Sequence, residues 1–209
     1  MFRRRTSAPE VPITMLTESE RELVGDWWQS AAERIDAGPR ETTWLSATLM
    51  VQMTLGYAEN SDSRVPPLAY AFATRSGYAL RMFVDRLAAP RPLDVSGIEP
   101  DSIATLETFP VDAEIGTADI PDDVSDRLVL PIVMMVSDTA NQPDRFTEIV
   151  SVEPPIWNAV VEVATHRLQS ELTASSVIRR PRDLSRDVVE SFLRFGYVLR
   201  SADEAFGLI

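Results

Sequence analysis

LSRDVVESFLRFGYVLRSADEAFG, residues 184–207, decides the fold. Val188, Val189, Phe192, Leu193, Phe195, Leu199 and Ala202 recur at helical spacing, mostly on one broad face. The stretch predicts a closing helix that lays this face on a core. Inside it lies RFGYVLR, Arg194 to Arg200, and the chain carries a near copy, RSGYALR, at Arg75 to Arg81. Arg, Gly, Tyr, Leu and Arg are shared between the two. On a helix, residues three apart step back by about 60°. Arg75, Tyr78 and Arg81 therefore form one slanted band, and Arg194, Tyr197 and Arg200 form another. Glycine inside a helix costs roughly 0.5–1 kcal/mol relative to alanine, so Gly77 and Gly196 ask for a reason.

Two readings of the paired heptads follow. In the structural one, helices cross closely at the glycines, Tyr lies at the boundary, and Arg is solvated or paired to Glu190 and Glu204. In the functional one, Arg75, Tyr78, Arg81, Arg194, Tyr197 and Arg200 form a ligand-binding cluster for a small anionic group, held by forked guanidinium donors. Outside the heptads the two segments do not align, which speaks against an internal duplication.

Further from this stretch the same 3.6-residue period recurs. TESERELVGDWWQSAAERIDAG opens with Thr17 and Glu20 in capping-box spacing. Leu23, Trp27, Ala31 and Ile35 give it a stripe, and Gly38-Pro39 ends it. ETTWLSATLMVQMTLGYAEN has no charge from Thr42 to Ala58, the pattern of a helix at the centre of a bundle. LAYAFATRSGYALRMFVDRLAA follows Pro67, which suits a first helical position. PDDVSDRLVLPIVMMVSD starts with acidic residues suited to a helix N-terminus. Pro131 within its apolar run permits a kinked helix, two short helices or a buried strand, and we expect helix. QPDRFTEIV predicts a short helix, and PPIWNAVVEVATHRLQSEL a longer one. The fold class expected is all-α, an irregular helical bundle of about six or seven helices. Residues 1–16 read as an extended arm and 17–209 as a single helical domain.

Residues 90–121 break the period and read as a long acidic excursion within that domain. Between Pro92 and Asp126 every charged residue is acidic, Asp119, Asp122 and Asp123 among them. The opposite pattern stands in RRPRDLSR, where Arg179, Arg180, Arg182 and Arg186 cluster. These two blocks could meet, within one protomer or across a dimer.

Composition closes off several chemistries. The chain has 209 residues, 44% hydrophobic and 25% charged, with a net charge of −12. All 20 basic residues are Arg, so no Schiff-base or general-base lysine exists. There is no Cys and one His, His166, which excludes disulfides, thiolate nucleophiles and Cys/His zinc sites. His166 could in principle ligate haem iron, although an isolated helical His is usually packed or solvated; a di-iron Glu-x-x-His signature fails, because Glu162 stands four residues before it, not three. No phosphate-cradling glycine loop, nucleophile elbow or EF-hand loop is present. No metal, cofactor or catalytic residue is assigned. The acidic balance argues against nucleic acid. No apolar run is long enough for a membrane span, and none follows Arg3, Arg4 and Arg5 as in a signal peptide, so a cytoplasmic protein is expected.

The function expected is non-enzymatic protein–protein interaction, as a homo-oligomer or a component of a larger assembly. Trp27 and Trp28 point about 100° apart on a helix, and covering both calls for a wide partner face. The apolar tail AFGLI is a further element to be exposed or docked. A helical receptor for a small amphipathic or anionic ligand is the second reading. An enzyme using Asp, Glu or Tyr as acid and base is the third.

Overall fold

The computed structural model describes Ser46, Leu49, Met50, Met53, Tyr57 and residues 67–84, 91–98, 129–150, 154–174 and 184–209. Among these residues are five helices and no strand: α1 Pro67–Val84, α2 Leu130–Asn141, α3 Pro143–Val150, α4 Pro154–Ala174 and α5 Arg186–Ala205. The all-α class is as expected. The number differs: the described residues carry five helices, not six or seven. The helix expected from Thr17, with Trp27 and Trp28, lies outside the described residues. So do the arm at 1–16 and the acidic stretch 99–121. Of the apolar 42–58 segment, Ser46, Leu49, Met50, Met53 and Tyr57 are described, all with helical backbone.

Proline sets the helix starts. Pro67, Pro143 and Pro154 are the first residues of α1, α3 and α4, where a missing N–H costs no internal bond. Pro131 occupies the first turn of α2. Residues 129–136 have helical backbone, so the buried-strand alternative for this run is set aside. The far end of α5 is closed by Gly207, at φ 71°. There Gly207 N–H donates to the Glu204 carbonyl at 3.1 Å and Leu208 N–H to the Asp203 carbonyl at 2.9 Å. Such a left-handed glycine is a common helix stop. It turns the tail back, so that Phe206 is buried and Leu208 packs on the core.

The hub of the described structure is α5, which packs against α1, α2 and α4, most extensively against α1. It is buried almost all round, from Val189 and Phe192 through Tyr197, Leu199 and Asp203. A single broad face was expected. The difference has a physical cause, because the charges of α5 are matched within the bundle and a helix so neutralised can be covered on every side. Tyr70, Tyr57 and Phe192 pack as one aromatic group, with the Tyr70 and Phe192 rings stacked at 4.8 Å. Phe146, Trp157 and Tyr197 form a second. The start of the acidic excursion is also docked: Leu93 and Ile98 are buried, and Ile98 N–H donates to the Val95 carbonyl at 2.9 Å.

Candidate functional site

The two heptads meet. A Cβ added to Gly77 would come within 2.7 Å of the Leu193 carbonyl carbon and nearer still to its oxygen. One added to Gly196 would come within 2.8 Å of the Thr74 carbonyl carbon. Thr74 and Leu193 hold the same place, three residues before their glycines. The contact is therefore reciprocal, with each glycine admitting the backbone of the other helix. The tyrosines and second arginines repeat the relation. The Arg81 guanidinium lies 5.6 Å over the Tyr197 ring, and that of Arg200 lies 5.2 Å over the Tyr78 ring. From Tyr70–Phe192 at one end to Arg81–Glu204 at the other, the contacts advance together along both helices. α1 and α5 thus run in the same direction and cross about a local two-fold relation.

This symmetry stops at the polar groups beyond the crossing. Asp203 is fully buried. Its Oδ2 accepts from the Tyr78 hydroxyl at 2.6 Å and the Ser46 hydroxyl at 2.7 Å. Arg81 Nε donates to Ser201 Oγ at 2.9 Å, and its NH2 pairs with Glu204 at 2.7 Å. Arg200 Nε donates to the other oxygen of Glu204 at 3.2 Å. Two arginines thus share the Glu204 carboxylate, while Asp203 takes two hydroxyls. Burial, then the nearby Asp203 charge and the hydrogen bond to it, push the Tyr78 hydroxyl far above the ordinary tyrosine range, against a smaller opposing pull from Arg200. Tyr78 is a neutral donor at any physiological pH.

The first arginines of the heptads diverge. Arg75 is exposed. Arg194 pairs with Glu190, one turn earlier, and lies 5.0 Å over the Phe146 ring. Glu190 also accepts from Trp157 Nε1 at 3.2 Å and from Arg186 at 3.2 Å. Tyr197 is buried, and its hydroxyl donates to the Val150 carbonyl at 3.3 Å. Of the six heptad residues proposed for a ligand, Tyr78, Arg81, Tyr197 and Arg200 come together. Arg75 and Arg194 stand apart from them. Neither tyrosine sits at a boundary, as the helix-crossing reading had placed them; both are core residues. The interaction residues Trp27, Trp28, Asp119, Asp122, Asp123, Arg179, Arg180 and Arg182 lie outside the described residues, as does any meeting of the acidic and basic blocks.

Two outer features complete the candidate surfaces. The first seven residues of α2, Leu130 to Val136, are all apolar. Ile132 and Val136 face the core, while Leu130 and Met134, one turn apart, are 50% and 63% exposed. The second feature is a groove along α4 that contains His166, whose Nδ1 lies 3.2 Å from Ser170 Oγ. Among the described residues no group of three or more His, Cys, Asp or Glu could hold a metal. Nor is any described helix long and apolar enough to cross a membrane.

Sequence reasoning missed Asp203, Ser46, Ser201 and the outer face of α2. For Leu130 and Met134 a signal existed, since seven consecutive apolar residues in a helix leave one side uncovered. For Asp203 none did, because its hydroxyl partners come from distant segments. Comparison with protein-family models, curated proteins and solved structures finds no match for this chain.

Proposed function

We propose that this protein acts by association with a protein surface, a second copy of itself first, and that α2 presents the contact. The carrying observation is the exposure of Leu130 and Met134 on a helix whose opposite face is already buried. A helix apolar on both sides is normally covered on both. Val133 and Met135 are partly exposed beside them, and methionine adapts its shape to a partner. Covering one such side chain contributes about 1.5–3 kcal/mol. The paired charges beside the crossing support the same reading from the other direction, since Arg81 and Arg200 are already held by Glu204. A cytoplasmic setting belongs to this proposal. So does a bundle of more than five helices, with the 17–37 segment as a further element.

The absence of cysteine allows a direct test. In Met134→Cys the new thiol is unique, and mild oxidation of an α2–α2 contact yields a disulfide-linked dimer. Cysteine at exposed Thr147, on α3, is the control. Cross-linking at 134 but not 147 supports the proposal. Equal cross-linking at both, or at neither, contradicts it.

A further inference from the structure

One face of α4, with Leu184 and Arg186 opposite it, lines a groove of 730 Å³. That size suits a small organic ligand. The hydrogen-bond roles of its wall are decided by the helix itself. Thr165 donates its hydroxyl proton to the Val161 carbonyl at 2.7 Å, Ser170 to that of His166 at 2.9 Å, and Thr173 to that of Gln169 at 2.8 Å. A hydroxyl has one proton and two lone pairs, so all three oxygens are left as acceptors. Ser170 Oγ also lies 3.2 Å from His166 Nδ1. Exposed Glu162, one turn before His166, adds a carboxylate that only accepts.

The donors of the lining are Arg186, which shares Glu190 with Arg194, and the Gln169 amide nitrogen. Arg186 is engaged by Glu190 and by Asn158, at 3.2 and 2.9 Å. Gln169 Oε1 accepts from Leu184 N–H at 2.7 Å and ties the start of α5 to α4. Leu184 is buried and gives the groove an apolar floor. A wall rich in acceptors, one uncommitted negative charge and an apolar floor suit one ligand class. We propose that this groove binds a small primary amine in its ammonium form. Glu162 holds the charge, the hydroxyl oxygens accept the ammonium protons, and the apolar body lies on Leu184. This is a separate surface from the α2 contact and does not depend on it.

His166 is the sole histidine of the chain, so its imidazole NMR signals report on this groove alone. The probe is phenethylammonium, titrated to about 20 mM at constant ionic strength, a range fitting so small a ligand. 3-Phenylpropionate and 2-phenylethanol carry the same ring without the positive charge. The ammonium compound is expected to move the His166 signals saturably, and the other two are not. Glu162→Gln, at an exposed site that leaves the melting temperature unchanged, is expected to weaken binding roughly tenfold by removing a charge-assisted bond. A response to 3-phenylpropionate as large as to the ammonium, no saturable response at all, or full affinity in Glu162→Gln overturns the proposal.

Discussion

The α1–α5 crossing and the outer face of α2 invert the usual division between core and surface. At the crossing, Tyr78, Tyr197, Arg81 and Asp203 are buried; on α2, Leu130 and Met134 face solvent. The buried polar groups are held because each charge has an opposite charge or a hydroxyl against it, the condition under which burial is tolerated. The exposed apolar groups have no such account among the described residues. The comparison teaches that unusual residues at the crossing serve the fold, while those on α2 are the ones on which the proposed contact rests. An Arg/Tyr cluster looks like a binding site in sequence, yet here Tyr78 and Arg81 join α1 to α5, Arg194 and Arg200 pair within α5, and Tyr197 bonds to α3.

The largest expected effect breaks the crossing. Gly196→Ala or Gly77→Ala puts a methyl group into a facing backbone, which cannot withdraw as a side chain could. Each is expected to lower stability by about 3 kcal/mol or more, despite alanine's better helix propensity. Gly97→Ala, where nothing lies within 4 Å, is expected to be near neutral in the same melts. Equal tolerance at all three positions would refute the close approach.

Next in size is Asp203→Ala. It removes the carboxylate to which Tyr78 and Ser46 donate, at an expected cost of about 3 kcal/mol in urea unfolding. Tyr78→Phe is milder, about 1.5 kcal/mol, and carries a pH signature. The folded protein holds the Tyr78 hydroxyl above its ordinary value of 10.0. The unfolded chain therefore loses that proton first, and the stability involved is complete below pH 10.0 and falls as pH rises beyond it. Tyr78→Phe is expected to flatten this alkaline decline. An unchanged slope would show that the hydroxyl is not held as described. The smallest effect belongs to Arg145→Ala, which breaks an exposed pair with Asp138 and should cost less than about 1 kcal/mol.

Much of this architecture was legible in the sequence. The helical period and starting prolines placed α1, α3, α4 and α5 closely, and the helix-interior glycines announced a backbone crossing. The i, i+4 spacing of Glu190–Arg194 and Arg200–Glu204 foretold those ion pairs. What stayed hidden depends on contacts between distant segments. That α5 is the hub could not be read from its pattern, because Arg194, Arg200, Asp203 and Glu204 look like a solvent face until their partners are known. The reciprocity of the two heptads was hidden for the same reason. A repeated motif shows what two helices share, but their packing partner is set by the three-dimensional path between them. The acceptor-rich α4 groove depends on which hydroxyl gives its proton to which carbonyl, a matter of rotamers that sequence does not carry.

The division between a closed crossing and an open α2 face is tested most directly by sedimentation equilibrium on the wild type and on a Leu130→Ser/Met134→Ser variant. Both substituted positions are exposed, so the two proteins should melt alike. The wild type is expected to show a mass that rises from monomer towards dimer with concentration, and the double variant to stay monomeric over the same range. A wild type that remains monomeric throughout, or a double variant that associates equally well, would contradict the assignment of α2 as the working surface.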